Sequence, residues 1–443
     1  MTFSPTGLNL LIVGFGVVLF AMSAFADAVG LGGYPGFGKK QLMGSMLGVL
    51  CVCVGILRLM HHATPRFKSR VKENGNLIFI CISMLLALLV RFSLLDFESG
   101  DYRNNLSHWY DFIRVHGGFK ALGHNFSNYT PPYLYFMTLV TFLPIPKLYA
   151  IKLISILFDF FAATVTYFIV DLRYKGKVLP LLSFVCILFA PTVFFNSSLW
   201  GQCDIIYTTG LLLSIYFLLK RKTLAAMILY SLAFSFKFQS VFLLPLLLIL
   251  CLKEEIPFKY LLLIPIIFGL AISPCILLGR PWVELFLIYP NQTTTYSVLT
   301  ANAPNLYQWL PNQYFPLLGK AGIFFAIMIV LTFCFIAYRG NVRMGEETII
   351  KISLISVLII PFSVPQMHER FFFPADVISI IYAFYFPKYF YLPFLVGFSS
   401  FFSYLPFLFG NSPFPLIFLP IPILITIILS TMDLTRSLYA SVH

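Results

Sequence analysis

Ionisable and polar side chains concentrate in six short stretches of the sequence, each placed between apolar runs. These stretches are residues 96–112 (DFESGDYRNNLSHWYDF), 128–133 (NYTPPY), 199–204 (LWGQCD), 236–239 (FKFQ), 300–309 (TANAPNLYQW) and 366–374 (QMHERFFFP). A carboxylate such as Asp101 can act as a general base, and an arginine such as Arg370 can hold an anionic group through its planar guanidinium. A fold that brings the stretches together would combine acid–base and anion-binding chemistry at one site.

The composition identifies the elements that must position these residues. Of 443 residues, 59% are hydrophobic, 18% are aromatic and only 11% are charged, and the mean hydropathy is +0.88. A soluble domain of ordinary composition does not reach these values, whereas apolar runs of about 20 residues suit transmembrane helices. The sequence therefore predicts an all-α polytopic membrane protein that forms one integral domain, residues 1–443.

The net charge of +13 comes from basic residues in short hydrophilic gaps. These gaps are HHATPRFKSRVKENGN (61–76), DLRYKGK (171–177), KRK (220–222), KEEIPFK (253–259) and YRGNVRMGEE (338–347). Their spacing follows the positive-inside pattern of cytoplasmic loops. No basic surface with interleaved aromatic residues is expected, so nucleic acid is not a predicted partner.

The charge bias and the order of the apolar runs predict a topology. We expect about fourteen crossings with both termini in the cytoplasm, near residues 7–26, 41–60, 76–95, 148–171, 178–195, 203–219, 223–236, 239–252, 259–278, 318–338, 349–365, 373–388, 391–408 and 414–431. Residues 131–146 are predicted to form an interfacial or re-entrant helix within a long outer loop, 96–147, because a further crossing there would place the basic gap 171–177 outside. A second large outer loop is expected at 279–317. All six polar stretches then fall on the outer face, where polar residues usually line a cavity or pathway.

Several of these segments, taken together, resemble a known enzyme family. The segments are residues 199–248 (beginning LWGQCD), the acidic GDY…W and NYTPPYLY parts of the outer loop, ANAPNLY (301–307) and MHERFFFP (367–374). They are similar to bacterial membrane mannosyltransferase-like proteins, relatives of the GPI-anchor mannosyltransferase II family within the GT-C glycosyltransferases. The resemblance covers residues 76–375, the predicted catalytic module. It implies a GT-C-type fold, a polyprenyl-phosphate-linked sugar donor, an acceptor hydroxyl on the outer side of the membrane and inversion at the anomeric carbon.

The resemblance also implies that an acidic residue of the first large outer loop is the catalytic base. Inverting transfer needs one carboxylate to take the proton of the acceptor. Asp101 best matches the family's acid ahead of the tryptophan, and Asp96, Glu98 and Asp111 compete with it. The alternative is that Asp101 lies in a solvated loop or only caps a helix over residues 102–115, since Asp is a favoured N-cap.

Three cationic side chains are candidates for binding the donor phosphate, which needs positive charge and hydrogen-bond donors as it leaves. Arg370 suits a phosphate through its planar fork, His368 precedes it by two residues, and Glu369 can orient it. The alternative is a structural Arg–Glu pair that anchors the end of a helix. Lys237 is either a second phosphate contact or a lysine that snorkels to the interface.

Other polar and aromatic residues are candidates for binding the sugar or the acceptor. Asp204 and Gln202 can bind hydroxyl groups or hold the loop, and Asn305 can bind a hydroxyl group or cap its own loop. Aromatic rings can stack on a sugar, although they are also common at the membrane interface without a ligand. The aromatic candidates are Trp200, Tyr129 and Tyr133.

No metal and no cofactor are predicted. A set of Asp101, Asp204 and His368 lacks the tight spacing of a metal motif, and the related polyprenyl-phosphate-dependent enzymes mostly need no metal. No glycine-rich phosphate loop follows a strand, so a soluble sugar nucleotide is not expected as the direct donor. The eight cysteines lie mostly inside apolar runs, which predicts neither a disulfide framework nor a zinc site.

The expected function is transfer of a hexose, mannose or glucose, from a polyprenyl phosphate such as undecaprenyl phosphate. The expected acceptor is a hydroxyl of a glycan, glycolipid or protein, in the modification of cell-surface glycans or lipopolysaccharide. Three sequons, at Asn105, Asn128 and Asn291, would carry obstructing glycans in an ER lumen. A multi-pass protein of the bacterial inner membrane, with its site facing the periplasm, is therefore the predicted localisation.

Two other functions remain open at this stage. A lipid-linked oligosaccharide flippase or exporter would line a path open to both sides, often at repeated positions in two halves. A glycan polymerase or ligase would share the outer site and a large loop such as 279–317. The polar residues gather on one face and no internal repeat is evident, which favours the transferase over the flippase.

Overall fold

The computed structural model describes residues 65–293, 296–340 and 344–439, together with isolated positions between residues 14 and 51. The predicted crossings at residues 7–26 and 41–60 lie almost wholly outside the described residues. Within the described part, the regular structure is helical apart from two strands of two residues each. The prediction of an all-α chain is confirmed at this level.

Long apolar helices dominate the described part of the chain. Six are long and apolar enough to cross a membrane: Gly75–Phe92, Lys147–Tyr174, Phe258–Leu277, Asn312–Arg339, Pro387–Phe409 and Leu416–Leu438. A pair bent by 43°, Leu179–Leu188 with Pro191–Trp200, makes seven if it forms one span. Four shorter apolar helices are Asp204–Leu219, Thr223–Phe236, Phe238–Leu252 and Phe373–Tyr385. These helices are those of a membrane-embedded protein.

The chain separates into two compact units, Met1–Glu98 and Ser99–His443. The boundary falls inside the predicted outer loop 96–147, and the predicted catalytic module 76–375 spans it. Among the residues described in the first unit, the long helix is Pro65–Phe92. The second unit holds all the other elements given below.

The α-helices of the second unit are Ser107–Val115, Pro131–Val140, Lys147–Tyr174, Leu179–Leu188, Pro191–Phe194, Asp204–Leu219, Thr223–Phe236, Leu244–Leu252, Leu263–Leu277, Trp282–Phe286, Ile288–Thr293, Phe315–Arg339, Glu346–Ser363, Phe373–Tyr385, Leu392–Phe409 and Pro420–Tyr439. Two π-helical turns are Tyr102–Leu106 and Phe195–Trp200. The 3₁₀ turns are Gly118–Gly123, Phe238–Leu243, Phe258–Leu262, Leu306–Trp309, Asn312–Tyr314, Pro387–Tyr389 and Leu416–Phe418. Every crossing predicted between residues 148 and 431 coincides with a helix or a bent pair of helices. The helix Pro131–Val140 has 10 residues, too few to cross a bilayer.

Helices begin or end within the polar stretches. Gly201 ends the turn Phe195–Trp200 with a φ of +79°, a conformation that L side chains rarely adopt. Lys237 is extended between two helical segments, with φ −155° and ψ 135°. The strands Thr300–Ala301 and Met367–His368 pair in parallel, which joins the second large loop to the stretch 366–374. Polar side chains therefore lie at the helix ends next to Gly201 and at Lys237.

Packing distinguishes the interior helices of the second unit from those that expose apolar surface. The helix Asp204–Leu219 packs against Thr223–Phe236 and Lys147–Tyr174, and most of its residues are buried. By contrast, the helix Phe315–Arg339 exposes Leu317 and Phe324, at 73% and 66%. Continuous exposed apolar surface of this kind suits contact with lipid.

Candidate functional site

Asp101 lies immediately before the turn Tyr102–Leu106, and its side chain makes no capping hydrogen bond to that helix. Its Oδ2 instead accepts hydrogen bonds from Trp200 Nε1 at 2.9 Å and from Gln202 Nε2 at 2.5 Å. No described residue donates a hydrogen bond to Oδ1, and the side chain is 21% exposed. Two donors thus hold one oxygen of the carboxylate, and the other oxygen accepts no hydrogen bond from the described residues.

The indole of Trp200 is held from several sides. It is fully buried, and it stacks on Phe407 with ring centroids 5.0 Å apart and an interplanar angle of 26°. Tyr404 packs edge-on against the same indole. Ser99 Oγ donates to the backbone carbonyl of Trp200 at 2.7 Å. These contacts fix the direction of the N–H that reaches Asp101.

Gln202 connects Asp101 to the stretch 128–133. Its Oε1 accepts from the Tyr129 hydroxyl at 3.1 Å while its Nε2 donates to Asp101. Its backbone N–H donates to Asn196 O at 2.8 Å, which closes the loop around Gly201. The amide therefore has one orientation that satisfies both of its ends.

Asp204 is fully buried at the start of its helix and holds the cationic side of the site. Its Oδ1 accepts from Lys237 Nζ at 2.5 Å, and its Oδ2 accepts from Asn196 Nδ2 at 2.8 Å. Arg370 Nε lies 3.8 Å from the same Oδ2. The geometry fits the loop-holding alternative for Asp204, because its oxygens are occupied by protein donors.

Arg370 lies between two carboxylates that come from distant parts of the sequence. Its Nη1 is 3.0 Å from Glu369 Oε1 and 3.8 Å from Asp101 Oδ2, and its Cζ lies 5.3 Å from the centre of the Trp200 ring. Its Nε donates no hydrogen bond to any described residue. Burial lowers the pKa of Arg370, but the carboxylates of Asp101 and Glu369 outweigh it, and the net pKa is raised above its usual value. The guanidinium stays charged and keeps unused donors.

Lys237 turns its ammonium inward to Asp204, with 11% of its side chain exposed. The Nζ also lies 5.7 Å from the ring centre of Tyr129 and 5.9 Å from that of Tyr207. A snorkelling lysine would extend its ammonium toward bulk water. The structure therefore contradicts the snorkelling alternative for Lys237.

The formal charges of this cluster do not sum to a positive value. Asp101, Asp204 and Glu369 contribute three negative charges, against two positive charges from Lys237 and Arg370. An anionic ligand here would be recognised by individual N–H donors and not by net attraction. Lys237 has three N–H donors, of which one is directed at Asp204.

A cavity of about 340 Å³, here called the first cavity, lies beside the cluster. Polar groups of Tyr129, Lys237, His368 and Arg370 line it. The polar residues Asn128, Thr130, Gln239, Gln292 and Gln366 also line it. Apolar side chains make up much of the remaining wall: Phe236, Phe238, Val241, Phe242, Ile323, Ile360, Val364 and Phe371. Apolar walls combined with a few placed polar groups are typical of a binding site for an organic ligand. This combination suits an amphiphile with a polar head and an apolar tail.

Three of the predicted site residues lie at the side of this cluster or outside it. His368 lines the first cavity, 17% exposed, with its Nδ1 3.8 Å from Glu369 Oε2. Asn305 is fully buried, and its side chain accepts from Tyr307 N at 3.1 Å and donates to Val364 O at 3.3 Å. Asn305 thus caps its own loop, which was the alternative interpretation. Tyr133 packs edge-on against Tyr129 and is buried.

Two of the four candidate acids, Asp101 and Asp111, belong to the second unit. Asp101 is part of the cluster, and Asp111 is not. Asp111 forms an ion pair with Lys147 at 2.7 Å and is 54% exposed. Asp96 and Glu98 belong to the first unit. The motifs gave no role to Ser99, which lies inside the stretch 96–112, or to Asn196, which lies just before the stretch 199–204. The signal was their position close to Asp101 and Trp200 in the sequence.

Burial also changes the acidity of two side chains in the loops of the site. It raises the pKa of Tyr129 well above its usual value, so this hydroxyl acts as a neutral donor to Gln202. Burial raises the pKa of Cys203 to about 11, so its thiol is protonated at neutral pH. Among the described residues, no group of three His, Cys, Asp or Glu side chains is arranged to hold a metal ion.

No protein-family model matches this sequence, and no curated protein matches it. The resemblance to GT-C glycosyltransferases therefore stays a prediction from the motifs.

Proposed function

We propose that the protein is an inverting glycosyltransferase that moves a hexose, mannose or glucose, from a polyprenyl phosphate to an acceptor hydroxyl. The observation that carries the proposal is the position of Asp101. Its carboxylate is oriented by Trp200 and Gln202, and it lies 3.8 Å from Arg370, which lines a largely apolar cavity. A base, a cation and an apolar channel are the three features that such a reaction needs.

The proposed reaction is a single displacement at the anomeric carbon. The acceptor oxygen forms a bond to that carbon as the bond to the phosphate oxygen breaks, and the acceptor proton passes to Asp101 Oδ1. The products are the glycosylated acceptor and the polyprenyl phosphate. Trp200 and Gln202 hold Oδ2, so the base is oriented before the substrate binds, which lowers the entropic cost of reaching the reactive geometry.

The departing phosphate needs donors and not a general acid, because its pKa is low enough to leave as an anion. Arg370 offers the unused Nε and Nη2 donors, and Lys237 offers two further N–H groups. His368 lies on the same cavity wall. The polyprenyl chain is accommodated by the phenylalanine-rich walls of the first cavity.

The proposal also specifies how many times the chain crosses the membrane and on which side the cluster lies. The shorter apolar helices also cross the membrane, giving about fourteen crossings with both termini in the cytoplasm and a GT-C-type arrangement. The cluster then faces the outer side of a bacterial inner membrane. What supports this side is the positive-inside bias, since the basic gaps at 171–177, 220–222 and 253–259 share the opposite parity.

A transfer assay with defined donors tests the function. The purified full chain in lipid nanodiscs is mixed with undecaprenyl-phosphate mannose or undecaprenyl-phosphate glucose, and release of undecaprenyl phosphate is measured with and without octyl glycosides as acceptors. We expect turnover with at least one donor. Absence of turnover with both, together with scrambling of lipid-linked sugar in liposomes, would overturn the proposal in favour of a flippase.

A further inference from the structure

A second cavity, of about 580 Å³, shares part of its wall with the first. Asn128 and Gln292 line both cavities, and Gln292 Nε2 donates to Asn128 O at 2.6 Å between them. Five amide side chains line the second cavity: Asn105, Asn125, Asn128, Asn291 and Gln292. An amide both donates and accepts hydrogen bonds. This lining therefore suits a ligand rich in hydroxyl groups, whereas the first cavity suits an apolar chain.

Arg280 borders the second cavity with donors that no described residue uses. It is 2% exposed, and its Nη2 donates to Asn125 Oδ1 at 2.7 Å. Its Nε and Nη1 donate no hydrogen bond to any described residue. A buried donor without an acceptor is costly. A bound ligand that supplies oxygen acceptors accounts for this arrangement.

Glu284 complements Arg280 in the same wall. Its Oε2 lies 3.9 Å from Arg280 Nε, beyond hydrogen-bond distance, and accepts no hydrogen bond from the described residues. The two charges cancel, so the cavity presents strong donors and a strong acceptor without net charge. Neutral hydroxyl groups use both the donors of Arg280 and the acceptor oxygen of Glu284, whereas a phosphate or carboxylate would use the donors alone. The cavity therefore favours a neutral polyol over an anion.

Two residues that line the second cavity lie on the helical segment that begins next to Asp101. Asn105 is in the turn Tyr102–Leu106, and Trp109 is in the helix Ser107–Val115 that follows it. Asn105 and Trp109 line the second cavity. The Trp109 ring lies 5.0 Å from the Tyr129 ring, and Tyr129 is hydrogen-bonded through Gln202 to Asp101.

We infer that the second cavity binds the acceptor and that this acceptor is a neutral saccharide, either free or as the sugar part of a glycolipid. The inference rests on the proposed function for the existence of an acceptor. Arg280 and Glu284 bind its hydroxyl groups, and Trp109 provides an aromatic face for a sugar ring.

Ligand-observed NMR tests the inference without requiring turnover. Saturation-transfer difference spectra are recorded for methyl α-mannoside and methyl α-glucoside with the full chain in nanodiscs, and for a serine- and threonine-containing peptide and glucuronic acid as alternatives. The variants are Arg280→Gln and the isosteric Glu284→Gln. Glu347→Gln, which removes an exposed ion pair with Arg173, is the matched control. Undecaprenyl phosphate binding is measured for every variant.

We expect the neutral glycosides to bind the wild type and the control. Their affinity should fall about tenfold or more in both cavity variants, while undecaprenyl phosphate binding is unchanged. If Arg280→Gln fails to fold, Glu284→Gln decides the test. The inference is overturned by unchanged glycoside binding in the folded variants, or by binding of the peptide or glucuronic acid in place of the neutral glycosides. If the inference is overturned in this way, hydrolysis of the sugar donor by the wild type, with water as acceptor, would still support the proposed function.

Discussion

Gln202 Nε2 donates a 2.5 Å hydrogen bond to Asp101 Oδ2 across 101 positions of the sequence. Trp200 Nε1 donates to the same oxygen at 2.9 Å. The carboxylate cannot rotate without losing both bonds, so its second oxygen has a defined direction. Two residues of the LWGQCD stretch thus determine the orientation of an acid in the predicted outer loop.

The first prediction concerns Trp200→Phe, which removes the indole N–H and keeps an aromatic ring between Phe407 and Arg370. Loss of one hydrogen bond to a charged group should lower kcat about tenfold, with the donor KM changed less than about twofold. Steady-state transfer kinetics measure both quantities. Trp309→Phe is the matched control, because its Nε1 donates to Ile417 O at 2.8 Å outside the cluster. An equal loss in both variants would contradict the orienting role.

The second prediction concerns the donor phosphate. Arg370→Ala removes the guanidinium that lines the first cavity, so both donor affinity and turnover should fall about ten- to a hundredfold. Binding of undecaprenyl phosphate, measured by native mass spectrometry, and transfer kinetics give the two values. Arg173→Ala, which breaks an exposed pair with Glu347, serves as the control. Normal donor binding by a folded Arg370→Ala variant would support the structural Arg–Glu pair instead.

The third prediction separates the structural role of Lys237 from a role in binding. Lys237→Met leaves Asp204 buried without its ammonium partner, which should cost about 3–5 kcal/mol in the free energy of unfolding. Adding Asp204→Asn should restore much of that stability. Donor affinity should remain low in the double variant if Lys237 contacts the phosphate. A double variant with normal donor affinity would show that the lysine serves only Asp204.

The buried pair Lys351–Asp433 provides a control for that experiment. Its atoms lie 2.7 Å apart, with 5% and 6% of the two side chains exposed. Neither residue lines either cavity. Lys351→Met should therefore lower the thermal unfolding temperature without changing donor affinity.

Much of the fold follows from the sequence, because apolar length and basic gaps specify where each helix begins and ends. The breaks at Gly201 and Lys237 were also visible as polar residues between apolar runs. The hydrogen-bond partners of those polar residues could not be predicted from the sequence. Asp101 contacts Gln202 only because segments that are distant in the sequence pack together. Asn305 was placed among the binding candidates because an exposed Asn and a capping Asn have the same local sequence. Arg280 gave no signal, because an arginine at a helix end is ordinary until its burial is known.

The fourth prediction tests the side of the membrane. Lys120→Cys lies in the predicted outer loop and Lys177→Cys in a predicted cytoplasmic gap, and both parent residues are exposed. A membrane-impermeant maleimide added to intact cells stripped of their outer membrane should label position 120 above the background of the native cysteines. It should label position 177 only after the inner membrane is opened. Glu369 is unsuitable for such labelling because it is 2% exposed.

The reverse pattern, with position 177 labelled first, would place the cluster on the cytoplasmic face. It would contradict the periplasmic assignment and leave the geometry of Asp101 unchanged. The membrane side of the cluster and the role of Asp101 are therefore tested independently.

The general-base role of Asp101 is most directly tested by single-turnover transfer with the Asp101→Asn variant. The amide oxygen can still accept the hydrogen bonds of Trp200 and Gln202, so folding and donor binding should be retained. Asparagine cannot take the acceptor proton, so the rate should fall about 10²–10⁴-fold. Asp111→Asn, which alters an exposed pair with Lys147, controls for the loss of a carboxylate in the same loop.

Asp96→Asn and Glu98→Gln should have far smaller effects on the same rate. The account predicts a variant that binds undecaprenyl-phosphate sugar like the wild type and transfers it at a small fraction of the wild-type rate. Near-normal transfer by Asp101→Asn, with a large loss in Asp96→Asn or Asp204→Asn, would contradict it by placing the base on another carboxylate.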